Sequence, residues 1–443
     1  MLLANNFTYD SRVKREARSL AAWGCEVIVL AMGESDLSDD ERPHSFEVQR
    51  WAASARSFPR LAAAAVCWSA RPLMRRLLGT RPRAETASRG LAHKRRWPLP
   101  TLVTQLGFNA ELARRACMLE PDVVHSHDLD TLFAGVLVKR LTGARLVYDS
   151  HELYLHRSGA TWRTNIIWRW IESFGTGDGL WRARSRVPDE FITVNEEIAA
   201  ELRRIHRRLP EAVIVKNAIA QPDHLVRSNG RLHAATGLDP SQRLLLYHGG
   251  LVQGRGLEAL VQAGPLLPKG WSVVLMGGGA QEHALRELAK RADPTGERIH
   301  FVPAVPYETL LEWVAGATLG IIAYDNVCMN HWLCSPNKLW EYPGAGIPAL
   351  VSPFPLLRRV VERNDIGWLL PDPITPAGIA ETVTTISQRD LHRKQQNCQA
   401  FIKHDNWSKY EARLMKCYER LLGRPMRASS VPPSAERDPA QRC

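Results

Sequence analysis

Apolar and polar positions along this chain alternate in two registers. Short runs rich in β-branched residues, EVIVLA (26–31), DVVHSH (122–127), RLVYDS (145–150) and EFITV (190–194), read as buried strands. Amphipathic stretches such as SRVKREARSLAAW (11–23) and LDTLFAGVLVKRL (129–141) read as helices between them. After about residue 235 the rhythm restarts with RLLLYHG (243–249), WSVVLMG (271–277), IHFVP (299–303), TLGIIAY (318–324) and PALVS (348–352). Here LEALVQAGPLL, EHALRELAKRA and YETLLEWVAGA supply the intervening helices. Such alternation implies parallel sheets covered on both faces, and two successive series imply an α/β chain of two Rossmann-like, doubly wound domains.

The same pattern divides the chain. Residues 1–216 form the expected N-terminal domain, 217–237 a polar connector, 238–404 the C-terminal domain, 405–422 a closing helix and 423–443 a disordered tail rich in Pro, Ser and Arg. Only LLA precedes the first loop, short for a central strand, which points to a frayed strand or a start a few residues upstream.

At 443 residues the chain exceeds one ordinary core, in keeping with two domains. No uninterrupted apolar run reaches the ~18 residues of a spanning helix, and the N-terminus shows no basic, apolar, small-residue leader, so a cytoplasmic protein is expected. Cysteines at 25, 67, 117, 328, 334, 398, 417 and 443 show no CxxC pairing, which suits thiols in a reducing compartment rather than a disulfide frame or zinc site. A net charge of +12 suits an anionic partner: nucleotide phosphates, an acidic membrane face or nucleic acid. Nucleic acid is the weakest of these, because no aromatic-and-basic recognition motif is present.

Ligands of open α/β sheets bind at the C-terminal ends of strands, so the turns there carry the candidate chemistry. In HGGLVQGRGLEAL (248–260), Gly249 and Gly250 end a strand and Arg255 lies between two glycines before a helix. That is either a diphosphate cradle or a plain strand–turn–helix with a surface arginine. In VVHSHDLDT (123–131), one of His125 and His127 is expected to face a cleft, and Asp128 and Asp130 read as helix caps rather than a metal-binding DxD. In YDSHELYLH (148–156), the histidines at 151 and 156 are five apart, not the four of a zincin face, so zinc is rejected. Asp149 and Glu152 are left to cap or pair near the cleft.

The stretch SPNKLWEYPGAGIPALVS (335–352) places Glu341 on a short helix that Pro343 and Gly344 are expected to end. A carboxylate near a helix C-terminus opposes the dipole, so local stability does not explain it; accepting hydrogen bonds from two vicinal hydroxyls, as on a ribose, does. Ser335, Asn337 and Lys338 form the polar lip of that turn.

Taken in order, PDVVHSHDLDTL, RLVYDSHELY, FITVNEEIAAEL, VIVKNAI, YHGGLVQGRGLEALVQA and SPNKLWEYPGAGIPALVS resemble the landmarks of the group 1 (family 4) retaining glycosyltransferases of GT-B fold, over nearly all of residues 1–422. The opening NNFTYDSRVKREARSLAAWGCEVIVLA is similar to that family's first strand, loop and helix, and WSKYEARLMKCYERLL (407–422) to its closing helix, which crosses back onto the first domain. The resemblance implies transfer of a sugar from a nucleoside-diphosphate sugar to a glycan or lipid-linked acceptor in polysaccharide or envelope synthesis, with retention and without a metal or other cofactor. It implies that His127 faces the donor sugar and that Arg255 balances the leaving diphosphate beside Gly249 and Gly250. Ser335, Asn337 and Lys338 line the donor, Glu341 holds the ribose, main-chain groups near Pro303 and Val305 meet the base, and Asn6 and Arg12 stand on the acceptor side.

Two departures matter. Leu333 stands where the family commonly has a first glutamate, and Gly250 where it often has an arginine. These leave room for a second reading, a catalytically weak nucleotide-sugar-binding partner of an assembly complex. A third, an epimerase, lacks an evident acid and base pair. The basic segment 56–96, with Trp68 and an Ala-rich run, reads either as a helix on an anionic bilayer, at the inner face of a membrane, or as an ordinary helix with a solvated face.

Overall fold

The computed structural model describes residues 1–5, 7, 10–33, 45–51, 98–157, 162–177, 188–224 and 226–427. Asn6, the basic segment 56–96 and the tail from 428 lie outside the described residues.

The N-terminal domain runs α1 (Ser11–Ala22), β1 (Ile28–Met32), β2 (Glu47–Trp51), α2 (Pro98–Cys117), β3 (Val123–His127), α3 (Leu129–Thr142), β4 (Arg145–Ser150), α4 (Trp162–Gly175), β5 (Glu190–Thr193), α5 (Glu196–Ile205) and β6 (Ala212–Ile214). Strands β3-β4-β5-β6 pair in parallel in that order, and β1 pairs in parallel with β2. The opening residues join the two groups. Leu2 bridges Leu30 and Ser126, both in parallel, while the Leu2 amide donates to the His125 carbonyl and the Leu3 amide to the Leu30 carbonyl. The short first segment is therefore central after all.

The C-terminal domain runs α6 (Arg231–Thr236), β7 (Arg243–His248), α7 (Leu257–Ala263), β8 (Trp271–Met276), α8 (Glu282–Ala292), β9 (Ile299–Val302), α9 (Leu310–Val314), β10 (Leu319–Ile322), α10 (Met329–Trp332), α11 (Lys338–Gly344), β11 (Ala349–Val351), α12 (Pro355–Asn364), β12 (Gly367–Leu369), α13 (Pro376–Thr384), α14 (Gln388–His404) and α15 (Trp407–Leu422). Its sheet is all-parallel with order β12-β11-β10-β7-β8-β9. The switch point falls at β7, whose neighbours are β10 and β8.

Local chemistry explains many boundaries. Asp10 caps α1 by accepting from the Val13 amide, and Asn195 caps α5 ahead of Glu196 and Glu197 in its first turn. Two differences from the sequence reading stand out. Strands β6 and β12 have three residues each, and β2 has no fully buried position over residues 47–50, so none of them was legible. The stretch expected as a connector carries α6, which buries Leu232. Helix α11 does close at Pro343 and Gly344 as expected, but with seven residues it places Glu341 within a turn of both ends, so the helix dipole does not decide for or against the carboxylate.

Helix α15 crosses back onto the N-terminal domain. The Trp407 indole donates to Ser19 Oγ (3.0 Å), Tyr418 Oη meets His125 Nδ1 (2.8 Å) and Arg420 pairs with Glu190 (2.8 Å). Leu414 on the same helix is fully buried in the core that spans both domains. Leu414→Ala is expected to cost about 2–5 kcal/mol, read as an earlier denaturant transition monitored by tryptophan fluorescence; an unchanged midpoint would show that this helix does not hold the domains.

Candidate functional site

The C-terminal half of the site forms at the switch point. Beyond β7, Gly249 takes φ 113°, and a Cβ there would stand 3.0 Å from Lys338 Nζ. The Gly249 amide is spent on the Met276 carbonyl (2.9 Å), whereas the Gly250 amide has no hydrogen bond among the described residues. Gly256 has φ 64° and abuts the end of β10: a Cβ would come 2.0 Å from the Ala323 carbonyl oxygen. The Asp325 amide donates to Gly254 (3.1 Å) and the Gly256 amide to Asp325 Oδ2 (3.2 Å), which pins Arg255 between two ties.

Arg255 lays its guanidinium 4.0 Å from the centroid of Tyr324, and the Lys338 ammonium lies 4.8 Å from Tyr247 and 6.0 Å from Tyr324. Neither cation has an ion-pair partner among the described residues. Burial first, and Arg255 second, push the Lys338 amine down to about 8. Glu341 is buried, and burial pushes its carboxyl up to about 6 against the pull of Lys338 and Arg15. His248 Nε2 stands 3.6 Å from Glu341 Oε2, but burial holds His248 well below its usual value, so this is a contact with a neutral imidazole rather than an ion pair.

The N-terminal half gathers at the ends of β3, β4 and α1. His125 and His127 stack with centroids 4.3 Å apart, because residues two apart share a strand face. Both histidines, not one, thus enter the cluster. Arg12 binds Asp149 through two nitrogens (2.9 and 3.3 Å) and donates to the Val215 carbonyl (2.6 Å) and Asn217 Oδ1 (3.2 Å). Its Nε also lies 3.0 Å from Glu16 Oε1 but directs its hydrogen at Asp149. One cation thus serves two carboxylates. Although burial opposes ionisation, Arg12 and His151 hold Asp149 well below the carboxylate range, whereas burial pushes Glu16 up to about 8. Arg12, expected on the acceptor side, is a buried internal tie.

His151 lies 3.3 Å from Asp149 and 3.4 Å from Asp128, and although burial opposes its charge these carboxylates raise it to about 10. Burial, His125 and His151 hold His127 well below its usual value. His127 Nδ1 lies 3.2 Å from His151 Nε2, which also lies 3.3 Å from Asp149 Oδ2, and His127 Nε2 is buried with no partner among the described residues. Asp128 makes no side-chain cap to α3; its Oδ1 accepts from the His151 amide (2.9 Å). The capping expectation for it is corrected: fixing His151 is what this carboxylate does.

Glu16, His125, His127 and Asp149 bring four potential metal-ligand atoms within 4.8 Å of one another. The Arg12 guanidinium already sits on both carboxylates, and His151 adds a second cation, so the positive charge a metal would supply is present.

Side chains and carbonyls of residues 330–337 join the halves. Asn330 accepts from the Leu153 amide (2.8 Å) and donates to Glu152 (2.9 Å), Asn195 donates to the Leu333 carbonyl (2.8 Å), and Asn217 to the Ser335 carbonyl (2.8 Å). Asn337 reaches Ser11 Oγ (3.4 Å). Leu333 packs in the N-terminal domain's core, so its position bolts the lobes together. Gly249, Gly250, Arg255, Lys338 and Glu341 come together; His127 belongs to the cluster across the interface, and Ser335 buries its hydroxyl without a partner. Pro303 and Val305 follow β9, two strands from β7.

Tyr324, Arg15, Tyr307 and His248 were missed by sequence reasoning, since they are scattered single residues. The Arg12 and Glu16 pair was visible as an i,i+4 spacing on a helix, without any sign that it is buried. A cavity of about 720 Å³ lies at the other end of the N-terminal sheet, lined by Met1, Trp23, Cys25, Tyr418 and Arg424.

Asp149→Asn is expected to destabilise by about 3–5 kcal/mol, because it leaves Arg12 and His151 buried without their counter-charge. Glu16→Gln should be nearly neutral at low pH. In the wild type, between about 4.5 and about 8 only the unfolded chain ionises Glu16, so its contribution to stability falls as pH rises through that window. Melting curves at successive pH values check this: the Glu16→Gln variant should gain on the wild type steadily from pH 5 to 8.

Comparison with known proteins adds two matches of sequence family. Residues 11–220 match the model described as Glycosyltransferase Family 4, and residues 242–389 that described as Glycosyl transferases group 1. No curated protein sequence matches significantly. Among solved structures, sucrose-phosphate synthase from Thermosynechococcus elongatus superposes with TM-score 0.67 at 16% identity, over 93% of this chain and 92% of that one. HepE from Anabaena, in complex with UDP-glucose, gives 0.68 at 13% identity over 95% and 98%. WaaG, a glycosyltransferase involved in lipopolysaccharide biosynthesis, gives 0.60 at 14% identity over 95% and 99%. At these identities the likeness concerns the fold.

Proposed function

We propose that this chain, which belongs to the group 1 glycosyltransferases of GT-B fold, moves a sugar with retention from a nucleoside-diphosphate sugar to a glycan or lipid-linked acceptor. The observation that carries this reading is the pair of cations, Arg255 and Lys338, packed on tyrosine faces with no ion pair among the described residues. Two adjacent like charges held partly out of water are costly unless an anion joins them, and a diphosphate matches two.

In this reading Arg255, Lys338 and the Gly250 amide hold the diphosphate. Their charge is already in place when the glycosidic bond to it breaks, which is electrostatic preorganisation. Glu341 accepts from the ribose hydroxyls, and main-chain groups around Pro303 and Val305 meet the base. His127, whose Nε2 has no partner among the described residues, faces the donor sugar. Ser335 and Asn337 line the sugar side, where Leu333 leaves no carboxylate. The two cations meet the charge a divalent ion would otherwise meet, so the proposed reaction is metal-independent. The solved HepE complexes with UDP and UDP-glucose support a nucleotide-sugar donor, and the involvement of WaaG in lipopolysaccharide biosynthesis supports envelope glycoconjugates as the acceptor class. No described helix is long and apolar enough to cross a membrane. A cytoplasmic enzyme working at the inner membrane face, through the basic segment 56–96, completes the proposal. Leu333 favours one alternative, a catalytically weak sugar-nucleotide-binding partner. Transfer or donor hydrolysis by the purified protein, with the anomeric configuration read by NMR, separates the two: binding without either supports the alternative.

Glu341→Ala should weaken nucleoside-diphosphate binding in calorimetry, and Arg255→Ala should chiefly lower turnover. Lost charge-assisted contacts of this kind are worth about 1.5–3 kcal/mol each. Affinity for a nucleotide sugar, whose diphosphate diester does not titrate in this range, should depend on pH. It rises as Glu341 ionises near 6 and falls as Lys338 loses its proton above about 8. A flat profile from pH 5 to 9 would remove both groups from the donor site.

A further inference from the structure

Arg15 belongs to the N-terminal domain, yet its guanidinium works against the other one. It stands one helical turn beyond Ser11 on α1, so both side chains lie on one face. Ser11 meets Asn337 (3.4 Å), and Arg15 Nη1 donates to Tyr307 Oη (2.7 Å) in the turn that follows Pro303 and Val305. Its guanidinium carbon lies 5.5 Å from the Trp407 ring. The residue is 9% exposed, and Nε and Nη2 have no hydrogen-bond partner among the described residues. It makes no ion pair among the described residues, although its charge is felt at both Glu341 and Tyr307.

Buried donors in native proteins are almost always satisfied, and an arginine with two open N–H groups is a marked exception. Water is one remedy and a ligand another. The position favours a ligand, because Arg15 is flanked by the carboxylate assigned to the ribose and by the turn assigned to the base. The diphosphate has its own cations, Arg255 and Lys338. What is left for Arg15 is the uncharged, oxygen-bearing part of the same molecule.

We propose that Arg15 is a nucleoside-binding residue supplied by the opposite lobe, its Nε–H and Nη2–H donating to base-carbonyl or ribose oxygens of a nucleoside diphosphate whose ribose sits on Glu341. The inference rests on the donor-site reading above. It makes the donor site a two-lobed one: the C-terminal domain holds the diphosphate, and the N-terminal domain closes on the nucleoside.

Calorimetry on the full chain tests it with UDP, GDP, ADP and inorganic pyrophosphate as probes, for the wild type, Arg15→Gln, Arg15→Lys and Tyr307→Phe. The expected result is about a tenfold loss for the tightest-binding nucleoside diphosphate in Arg15→Gln, with pyrophosphate affinity unchanged. Arg15→Lys keeps the charge but not the planar fork and should not restore the loss. Tyr307→Phe keeps the arginine and loosens it, and should give a smaller loss in the same direction, so the inference stays testable should the Arg15 variants misfold. Equal losses for pyrophosphate, full rescue by lysine, or no loss in any variant would overturn the role of Arg15 while leaving the donor site intact. A wild type that binds none of the probes would overturn the donor-site reading itself, and the inference with it.

Discussion

A single guanidinium, that of Arg12, holds the two halves of the candidate site in register. It is buried, it grips Asp149, and it reaches the Val215 carbonyl and Asn217, whose amide in turn holds the Ser335 carbonyl of the donor-side loop. Removing water from such a charge is affordable only because Asp149 remains ionised beside it. The carboxylate also meets His151, which in turn lies against His127. The histidine cluster is therefore built on this ion pair.

The cations of this protein fall into two kinds. Arg12, and the surface arginines that bridge Glu190, Glu196 and Glu197, are neutralised within the fold. Arg255, Lys338 and Arg15 make no ion pair among the described residues: they pack on aromatic rings and a tyrosine hydroxyl, with the buried Glu341 carboxyl felt by Lys338 and Arg15. A ring face softens the desolvation of a cation without cancelling its charge. That is how a site stays open for an anion in the absence of one.

The departures of the sequence from its relatives find a physical place in this arrangement. With glycine at 250 the first turn has no cation of its own, and the Lys338 ammonium lies against the neighbouring Gly249. Leu333, where a carboxylate was expected, packs into the N-terminal domain's core while its carbonyl accepts from Asn195. Apolar burial at that position fastens the lobes.

Strand and helix periodicity determined the two-domain, parallel α/β architecture, since burial on both faces writes continuous apolar runs into RLLLYH or WSVVLM whatever their neighbours. The ordered glycine, arginine and glutamate landmarks determined which turns to watch. Strands such as β6 and β12 were invisible because three partly buried residues carry too little pattern. Only the tertiary structure decided which charges are spent and which are open. Arg12 and Arg15 stand three residues apart on one helix and look alike in the sequence, yet one meets Asp149 while the other keeps two N–H groups without a partner among the described residues, its charge felt at Glu341. The reason is that electrostatic partnership depends on distances between segments far apart along the chain, and local pattern carries no record of them.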